Sequence, residues 1–201
     1  MSSVIISGDT SGAITVAAPA VSGTNTLTLQ AATATSAVNT LATAKAYNWN
    51  GLTTNTSLDF TDLPSWIKRV TVMLQGVSTS GTSFPQIQIG SGSFSTSGYA
   101  SAANYGIGAG QFTGTVTSGF VLEPSGGATA ANLRSGSVIL TLINSNTWVS
   151  QGVIYSSSLT FNNMSAGASP ALGGALDRIR LTTVLGVDTF DAGSVNILYE
   201  G

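Results

Sequence analysis

The stretch Leu63-Pro-Ser-Trp-Ile-Lys-Arg-Val-Thr-Val-Met-Leu-Gln75 decides the fold, because it carries the clearest strand pattern in the chain. Its apolar residues alternate with the others at a period of two, which is the side-chain period of a β-strand. Pro64 lies just before the alternating run, where its missing N–H removes no ladder hydrogen bond. Trp66 is predicted to close one end of a core. The residues predicted to face that core are Val70, Val72 and Leu74.

The composition limits the classes of partner. The chain has 201 residues, of which 7% are charged, and its net charge is −2. An ordinary globular protein has roughly 25% charged residues. Nucleic acids and anionic membranes are bound by clustered positive charge, and six basic residues in all argue against both. No apolar run approaches the roughly 18 residues of a membrane span, so no membrane insertion is expected.

The polar residues of the chain are mostly uncharged. A surface rich in Ser, Thr, Gly and Asn is typical of proteins that are buried in an assembly or that work outside the cell. The N-terminus Met-Ser-Ser-Val-Ile-Ile nevertheless lacks the basic region and long apolar core of a signal peptide. We therefore expect a protein that is made in a host cytoplasm and leaves inside a particle released by lysis.

The N-terminal part, residues 1–44, contains a single charged residue, Asp9. Its short β segments are separated by turns, as in a meander. The predicted segments are Val4–Ile6, Ala13–Val16 and Thr26–Leu29. So thin a meander buries too little surface to be stable alone, and it is expected to associate with identical copies in a trimer or to dock onto a partner. The alternative is a flexible tail that orders on binding. The predicted domains are 1–44 and 45–201.

The segment Ser7–Gln30 has the sequence SGDTSGAITVAAPAVSGTNTLTLQ. It resembles a segment of bacteriophage virion proteins, especially tail-fibre-like ones, with the approximate pattern GTITLAAPAxxGTNTLTLP. Gln30 stands where that pattern usually has Pro. The resemblance implies a virion location, attachment to other virion proteins through residues 1–44 and assembly as a homotrimer.

The larger part, residues 45–201, has longer aliphatic runs. About nine short strands alternate with Gly- and Ser-rich turns, and almost no segment has a helical period. The pattern predicts an antiparallel, jelly-roll-like β-sandwich, so that the whole chain is all-β. Ser137–Ile143 is apolar on both faces and is predicted to be a central strand. Residues 90–111 are predicted to form a long surface loop.

Further segments of this larger part resemble a tail-fibre-associated domain of bacteriophages. They are Thr61–Ser83, Asn146–Trp148, Leu176–Thr183 and Asp188–Glu200. Together with Ser7–Gln30 they touch both ends of the chain. The resemblance implies a structural protein without enzymatic activity, and it supplies neither a residue-level binding site nor a position in the particle.

The residues needed for most catalytic sites are missing. Histidine and cysteine are absent, which excludes a Ser-His-Asp triad and metal sites made of those residues. Two close carboxylate pairs remain, Asp59 with Asp62 and Asp188 with Asp191, at predicted strand ends where Asp commonly caps turns. Calcium ligation and glycoside hydrolysis are the alternatives. We predict no catalytic residue, no metal ligand and no cofactor.

Four basic residues are candidates for contacts between subunits. Arg178 and Arg180 lie on one face of a predicted strand, whereas the adjacent Lys68 and Arg69 lie on opposite faces. Both arginines and one residue of the second pair are predicted to meet acids of a neighbouring subunit. The candidate acids are Asp59 and Asp177. The alternative is that all four are solvated.

The aromatic residues divide into two groups. Tyr99 and Tyr105 lie in the predicted loop 90–111 and are candidates for contact with a host-surface glycan, because sugar rings stack on aromatic faces. Alternatively, they attach the loop to the sandwich. Trp66, Trp148 and Phe190 lie at predicted strand ends and are expected in the core.

These inferences and the resemblance lead to one functional expectation. The chain is expected to be a non-enzymatic virion protein, a trimeric tail fibre or tail appendage that contributes to recognition of the host surface. The first alternative is a capsid decoration or cement protein that stabilises the phage head. The second is a glycan depolymerase, which would need a workable carboxylate pair and a long parallel β-helix.

Overall fold

The computed structural model describes residues 3–7, 13–17, 45–48, 55–107, 110–124, 129–130, 132–157 and 161–201. The chain divides into two compact units, Met1–Ser36 and Ala37–Gly201. The predicted boundary between residues 44 and 45 and the predicted strand Thr26–Leu29 lie outside the described residues.

The first unit contains a pair of antiparallel strands, β1 (Ser3–Ser7) and β2 (Ala13–Ala17). Their register runs from Ser3 opposite Ala17 to Ser7 opposite Ala13. Two of the three strands predicted for the N-terminal part are therefore confirmed.

The second unit contains the remaining strands. In chain order they are β3 (Lys45–Asn48), β4 (Ser57–Phe60), β5 (Arg69–Thr79), β6 (Pro85–Ser91), β7 (Ser93–Phe94), β8 (Ala100–Ile107), β9 (Gly110–Val116), β10 (Phe120–Val121), β11 (Arg134–Asn144), β12 (Thr147–Ser156), β13 (Phe161–Ala168), β14 (Arg178–Thr183) and β15 (Phe190–Glu200). No helix occurs among the described residues.

These strands form two antiparallel sheets. The large sheet has eight strands in the order β3-β15-β5-β11-β12-β13-β8-β9. The small sheet has five, in the order β10-β6-β14-β4 with β7 paired to β6. The predicted fold class is confirmed, an all-β chain with an antiparallel sandwich.

Alternating apolar residues of both sheets form the core between them. Strand β5 contributes the three residues predicted from its pattern, Val70, Val72 and Leu74, all buried. The small sheet contributes four buried residues, Ile87 and Ile89 of β6 and Ile179 and Leu181 of β14. Each such side chain adds roughly 1.5–3 kcal/mol by leaving water, so this apolar layer holds the sheets together.

Two of the three aromatic residues predicted in the core lie there. Trp148 and Phe190 are fully buried, but Trp66 is 46% exposed and its predicted core position is wrong. Trp66 lies in the turn before β5, outside the space between the sheets. Its ring packs against Tyr199 of β15, with 5.8 Å between the ring centroids.

The predicted surface loop over residues 90–111 is wrong. The region forms β7 and β8 and the start of β9, and β8 pairs with β13 from Ala100 opposite Ala168 to Asn104 opposite Met164. The residues of β8 are small and weakly apolar, so they lack the alternating apolar pattern from which a strand is predicted. Backbone pairing with β13 and β9, more than apolar burial, holds β8 in the sheet.

The predicted central strand is β11. It is the fourth strand from the β3 edge of the large sheet and lies between β5 and β12. Its inner residues Val138 and Leu140 are buried, as predicted. Its outer residue Ile143 is exposed, so the apolar pattern on both faces does not correspond to burial on both faces. The outer face of the large sheet thus carries apolar side chains in contact with solvent.

Leu140→Ala is expected to lower the free energy of unfolding by about 2–5 kcal/mol, because it leaves a cavity in the apolar layer. Leu185→Ala, at an exposed position after β14, is the matched control and is expected to change it by less than about 0.5 kcal/mol. Urea denaturation measures both. Equal midpoints for the two variants would contradict the assignment of Leu140 to the core.

Candidate functional site

The two tyrosines predicted to contact a glycan are buried. Tyr99 is 2% exposed and Tyr105 is 4% exposed. The Tyr99 hydroxyl accepts a hydrogen bond from the Ile89 N–H at 2.9 Å and donates to the Ser95 carbonyl at 3.2 Å. Burial raises the pKa of Tyr99 to about 12, against the opposing effect of the hydrogen bond with Ile89. Burial contradicts the glycan prediction, and the alternative, that Tyr99 attaches its segment to the sandwich, is confirmed.

Tyr105 performs a similar packing role on β8. Its ring stacks on Phe112 of β9, with centroids 4.9 Å apart and planes inclined by 22°. Burial raises the pKa of Tyr105, and the negative charge of Glu123 adds to the effect. A ring in this position connects neighbouring strands and offers no face to a sugar.

The two arginines of β14 pair with the predicted acids, but within the same chain. Arg180 Nε and Nη2 each donate to the carboxylate of Asp59 on β4 at 2.7 Å. Arg178 Nε donates to the neighbouring Asp177 at 2.7 Å. This hydrogen bond and the Arg178 charge lower the pKa of Asp177, although burial opposes them. Asp59 and Asp177 are therefore paired within the chain. Contact of the two arginines with acids of a second subunit stays a prediction.

Lys68 and Arg69 lie at the start of β5. Arg69 Nε is 3.6 Å from Glu200 Oε2, and both side chains are well exposed, so the pair contributes little to stability. Lys68 lines a small cavity of about 50 Å³ beside Trp148 and Leu176. Their predicted role between subunits is untested.

The carboxylates of the two close pairs have separate structural partners. Asp188 accepts a hydrogen bond from the Ser83 N–H at 2.7 Å, and Asp191 accepts one from the Ser78 hydroxyl. Asp59 holds Arg180, and Asp62 has a left-handed φ of 60° in the turn after β4. The predicted turn role is confirmed for Asp62 and Asp188. Among the described residues, no three acids, histidines or cysteines are grouped as metal ligands would be.

A buried polar network lies between the sheets at the β10 side, and sequence reasoning missed it. Glu123 and Arg134 are both fully buried, and Arg134 Nε donates to Glu123 at 2.7 Å. Asn132 and Ser156 also donate to Glu123, each at 3.2 Å, and Asn163 donates to Ser156 at 2.7 Å. A buried charge is tolerated only when it is paired and hydrogen-bonded, and here each charge compensates the other.

The outer face of the large sheet carries two neighbouring rows of side chains without a charged residue. The strand registers place side chains in two adjacent rows across β15, β5, β11, β12, β13 and β8. One row is Asn196, Met73, Ser137, Val153, Met164 and Asn104, and the other is Leu198, Thr71, Ile139, Gln151, Ala166 and Ala102. We call these twelve residues the uncharged face.

Apolar side chains at the centre of the uncharged face contact solvent. Val153 is 50% exposed and Met164 is 58% exposed. Together with Ile139 and Gln151 they border an open depression of about 390 Å³. The nearest charges lie one row away, where Arg69 faces Glu200. Such a face can be buried against apolar and neutral polar groups without leaving a charged group buried and unpaired.

Comparison with known proteins identifies no relative: no protein-family model, no curated protein and no solved structure matches this chain. None of the described residues forms a helix that is long and apolar enough to cross a membrane.

Removing one partner of the buried ion pair is expected to be far more costly than removing both. Glu123→Leu leaves Arg134 unpaired and is expected to lower the free energy of unfolding by about 3–5 kcal/mol. The double variant Glu123→Leu/Arg134→Met is expected to recover much of that loss, because neither charge remains buried. Urea denaturation of the two single variants and the double variant gives the coupling. Additive losses would show that the charges do not compensate each other.

Tyr99 makes the stability depend on pH in the alkaline range. Its folded pKa of about 12 exceeds the ordinary value of 10.0, so between these values the hydroxyl ionises in the unfolded state and stays neutral in the folded state. The raised pKa therefore contributes about 2–3 kcal/mol to the free energy of unfolding below pH 10. This contribution is lost as the pH rises through the folded pKa. The free energy of unfolding of the wild type is therefore expected to fall more steeply between pH 10 and 12 than that of Tyr99→Phe. Parallel curves for the two proteins would contradict this.

Proposed function

We propose that this chain is a non-enzymatic structural protein of a bacteriophage particle, and that its sandwich self-associates through the uncharged face. The exposed apolar side chains of that face, Val153 and Met164, carry the proposal. Contiguous exposed apolar surface marks sites of protein interaction. The centres of interfaces are also depleted in charged residues and enriched in Met and aromatic residues.

The dimensions of the face support an interface. Six strands spaced about 4.8 Å apart span about 24 Å. The two rows of the uncharged face and one further row on each side, one of which ends in Arg69 and Glu200, extend about 20 Å along the strands. The product is on the order of 500 Å², which is more than half of the roughly 800 Å² that each partner contributes to a standard interface.

The assembly we propose is a trimeric tail fibre or tail appendage that contributes to recognition of the host surface. It is supported by the resemblance of Ser7–Gln30 and of four segments of the sandwich to phage virion proteins. Residues 1–44 would attach the trimer to other virion proteins. The runner-up is a capsid decoration protein, which the low charge of the uncharged face favours, because that face could be buried against a shell.

The absence of enzymatic activity belongs to the same proposal. Asp59, Asp188 and Asp191 each have a structural hydrogen-bond partner. Glycoside hydrolysis instead requires two carboxylates that face each other across a substrate cleft. Incubation with host polysaccharide is expected to release no reducing sugar, and release by the purified protein would contradict this part of the proposal.

The double variant Val153→Lys/Met164→Lys tests the role of the uncharged face. Two added charges would be buried unpaired on association. The variant is therefore expected to form the trimer at least about tenfold more weakly than the wild type, a difference of 1.4 kcal/mol. Leu185→Lys, which adds a charge at an exposed position in the connection from β14 to β15, is the matched control and should remain trimeric. Light scattering after size-exclusion chromatography measures the mass. A wild type that is monomeric at every concentration would overturn self-association.

Electron cryomicroscopy of the particle tests the location. Density for the sandwich that projects from the tail or baseplate is the expected result. Density at the three-fold positions of the head would replace the fibre with the decoration protein, and absence of the chain from the particle would overturn both.

A further inference from the structure

The outer face of the small sheet carries a second surface with different chemistry. The registers of β4, β14 and β6 place six polar side chains in two adjacent rows. One row is Ser57, Thr182 and Gln86, and the other is Asp59, Arg180 and Gln88. Because successive residues of a strand point to opposite sides, these side chains point away from the core that Ile87 and Ile179 help to form.

Neighbouring segments turn this face into a groove. Ser118, in the connection from β9 to β10, donates its hydroxyl to Gln86 at 2.8 Å and accepts at its carbonyl from Gln88 at 2.9 Å. Thr96 and the connection after β14 complete the border. The resulting polar groove has a volume of about 320 Å³, which is at the lower end of the range for small-molecule sites.

The side chains on the floor of the groove are held in place before any ligand arrives. Gln86, Gln88 and Thr182 are all buried, and Thr182 donates to the Thr56 carbonyl at 3.0 Å. The Arg180 guanidinium is fixed by Asp59 and by the Phe94 ring, whose centroid is 4.0 Å from Arg180 Cζ. Immobilising a flexible side chain on binding costs about 0.5–1.5 kcal/mol, and this floor avoids most of that cost.

Hydrogen-bonding capacity remains unused in the groove. Nε and Nη2 of Arg180 donate to Asp59, and Nη1 has no acceptor among the described residues. Thr183 borders the groove through its carbonyl, which accepts a hydrogen bond from Gln86 Nε2 at 3.4 Å. The Arg180 side chain is 30% exposed, so Nη1 can donate to a polar ligand or to water that enters the groove.

The charges of the groove select the class of ligand. Asp59 neutralises Arg180 through two parallel hydrogen bonds, so the groove presents no net charge to attract an anion. The same pair still offers both a donor, at Arg180 Nη1, and acceptors, at the Asp59 carboxylate. Vicinal hydroxyls of a sugar donate and accept in the same way. We infer that the polar groove binds a neutral, hydroxyl-rich ligand, namely an uncharged saccharide unit.

This inference rests on the proposed function, because it gives the ligand class for recognition of a host surface. The groove and the uncharged face lie on the outer faces of opposite sheets. A trimer joined through the uncharged face therefore leaves three grooves accessible. Weak single sites would then act together, since tethered copies raise the effective concentration.

Titration of the isotope-labelled full chain with neutral hexoses and with maltotriose, followed by amide NMR signals, tests the inference. Signals of the groove are expected to shift with a dissociation constant of about 1 mM or tighter for at least one neutral sugar. Thr96→Trp fills the groove from an exposed border position and is expected to weaken binding by at least tenfold. Thr113→Trp, at an exposed position on β9 of the other sheet, is the matched control and should bind like the wild type.

Two results would overturn binding of a neutral sugar in the groove. One is the absence of groove shifts with any neutral sugar, and the other is binding that Thr96→Trp leaves unchanged. Tighter binding of sialylated or phosphorylated sugars would also overturn the assignment of a neutral ligand. Arg180→Lys keeps the charge but loses the parallel hydrogen bonds, and weaker binding by a variant that keeps the wild-type NMR dispersion would support the role of the arginine–aspartate pair. Trimer mass and position in the particle report separately on the proposed function, so a failure here can be distinguished from a failure there.

Discussion

The structure depends on the packing of two sheets of unequal width. The five strands of the small sheet cover the aliphatic inner residues of β5, β11 and β15, where Val72, Leu140 and Ile197 are fully buried. Under β12, β13 and β8, the inner residues are mixed: the large Trp148 and Ile154 lie beside the polar Ser150 and Asn163. Glu123, just after β10, enters this second region and binds Arg134. The core therefore has an apolar half and a more polar half, in which Glu123, Arg134 and Ser156 are joined by hydrogen bonds.

The apolar half could be predicted from the sequence, whereas the polar half could not. Alternation of Val70, Val72 and Leu74 reports directly on the face that leaves water. Burial of Glu123 and Arg134 depends on their meeting in space, and charged residues are otherwise almost always exposed. The same reason explains the error with Tyr99 and Tyr105. Their sequence surroundings are rich in Ser and Gly, but pairing of β8 with β13 brings the segment into the sandwich.

The candidate surfaces show a similar division. Acids that pair with Arg178 and Arg180 could be named from their positions on strands, because β14 and β4 follow clear patterns. That these pairs form within one chain required the register of Arg180 opposite Asp59. The uncharged face required the registers of six strands, since its members come from widely separated segments. A row such as Met73, Ser137, Val153 and Met164 exists only once the strands are aligned.

The buried pair of Glu123 and Arg134 also affects the response of the domain to heat. Hydration of charged groups becomes less favourable as temperature rises, so the cost of removing this pair from water decreases. The stabilisation from apolar burial per unit area meanwhile approaches a plateau. Warming thus increases the share of the stability that comes from the polar half of the core. The sandwich would retain cohesion there at temperatures where additional aliphatic packing brings little further gain.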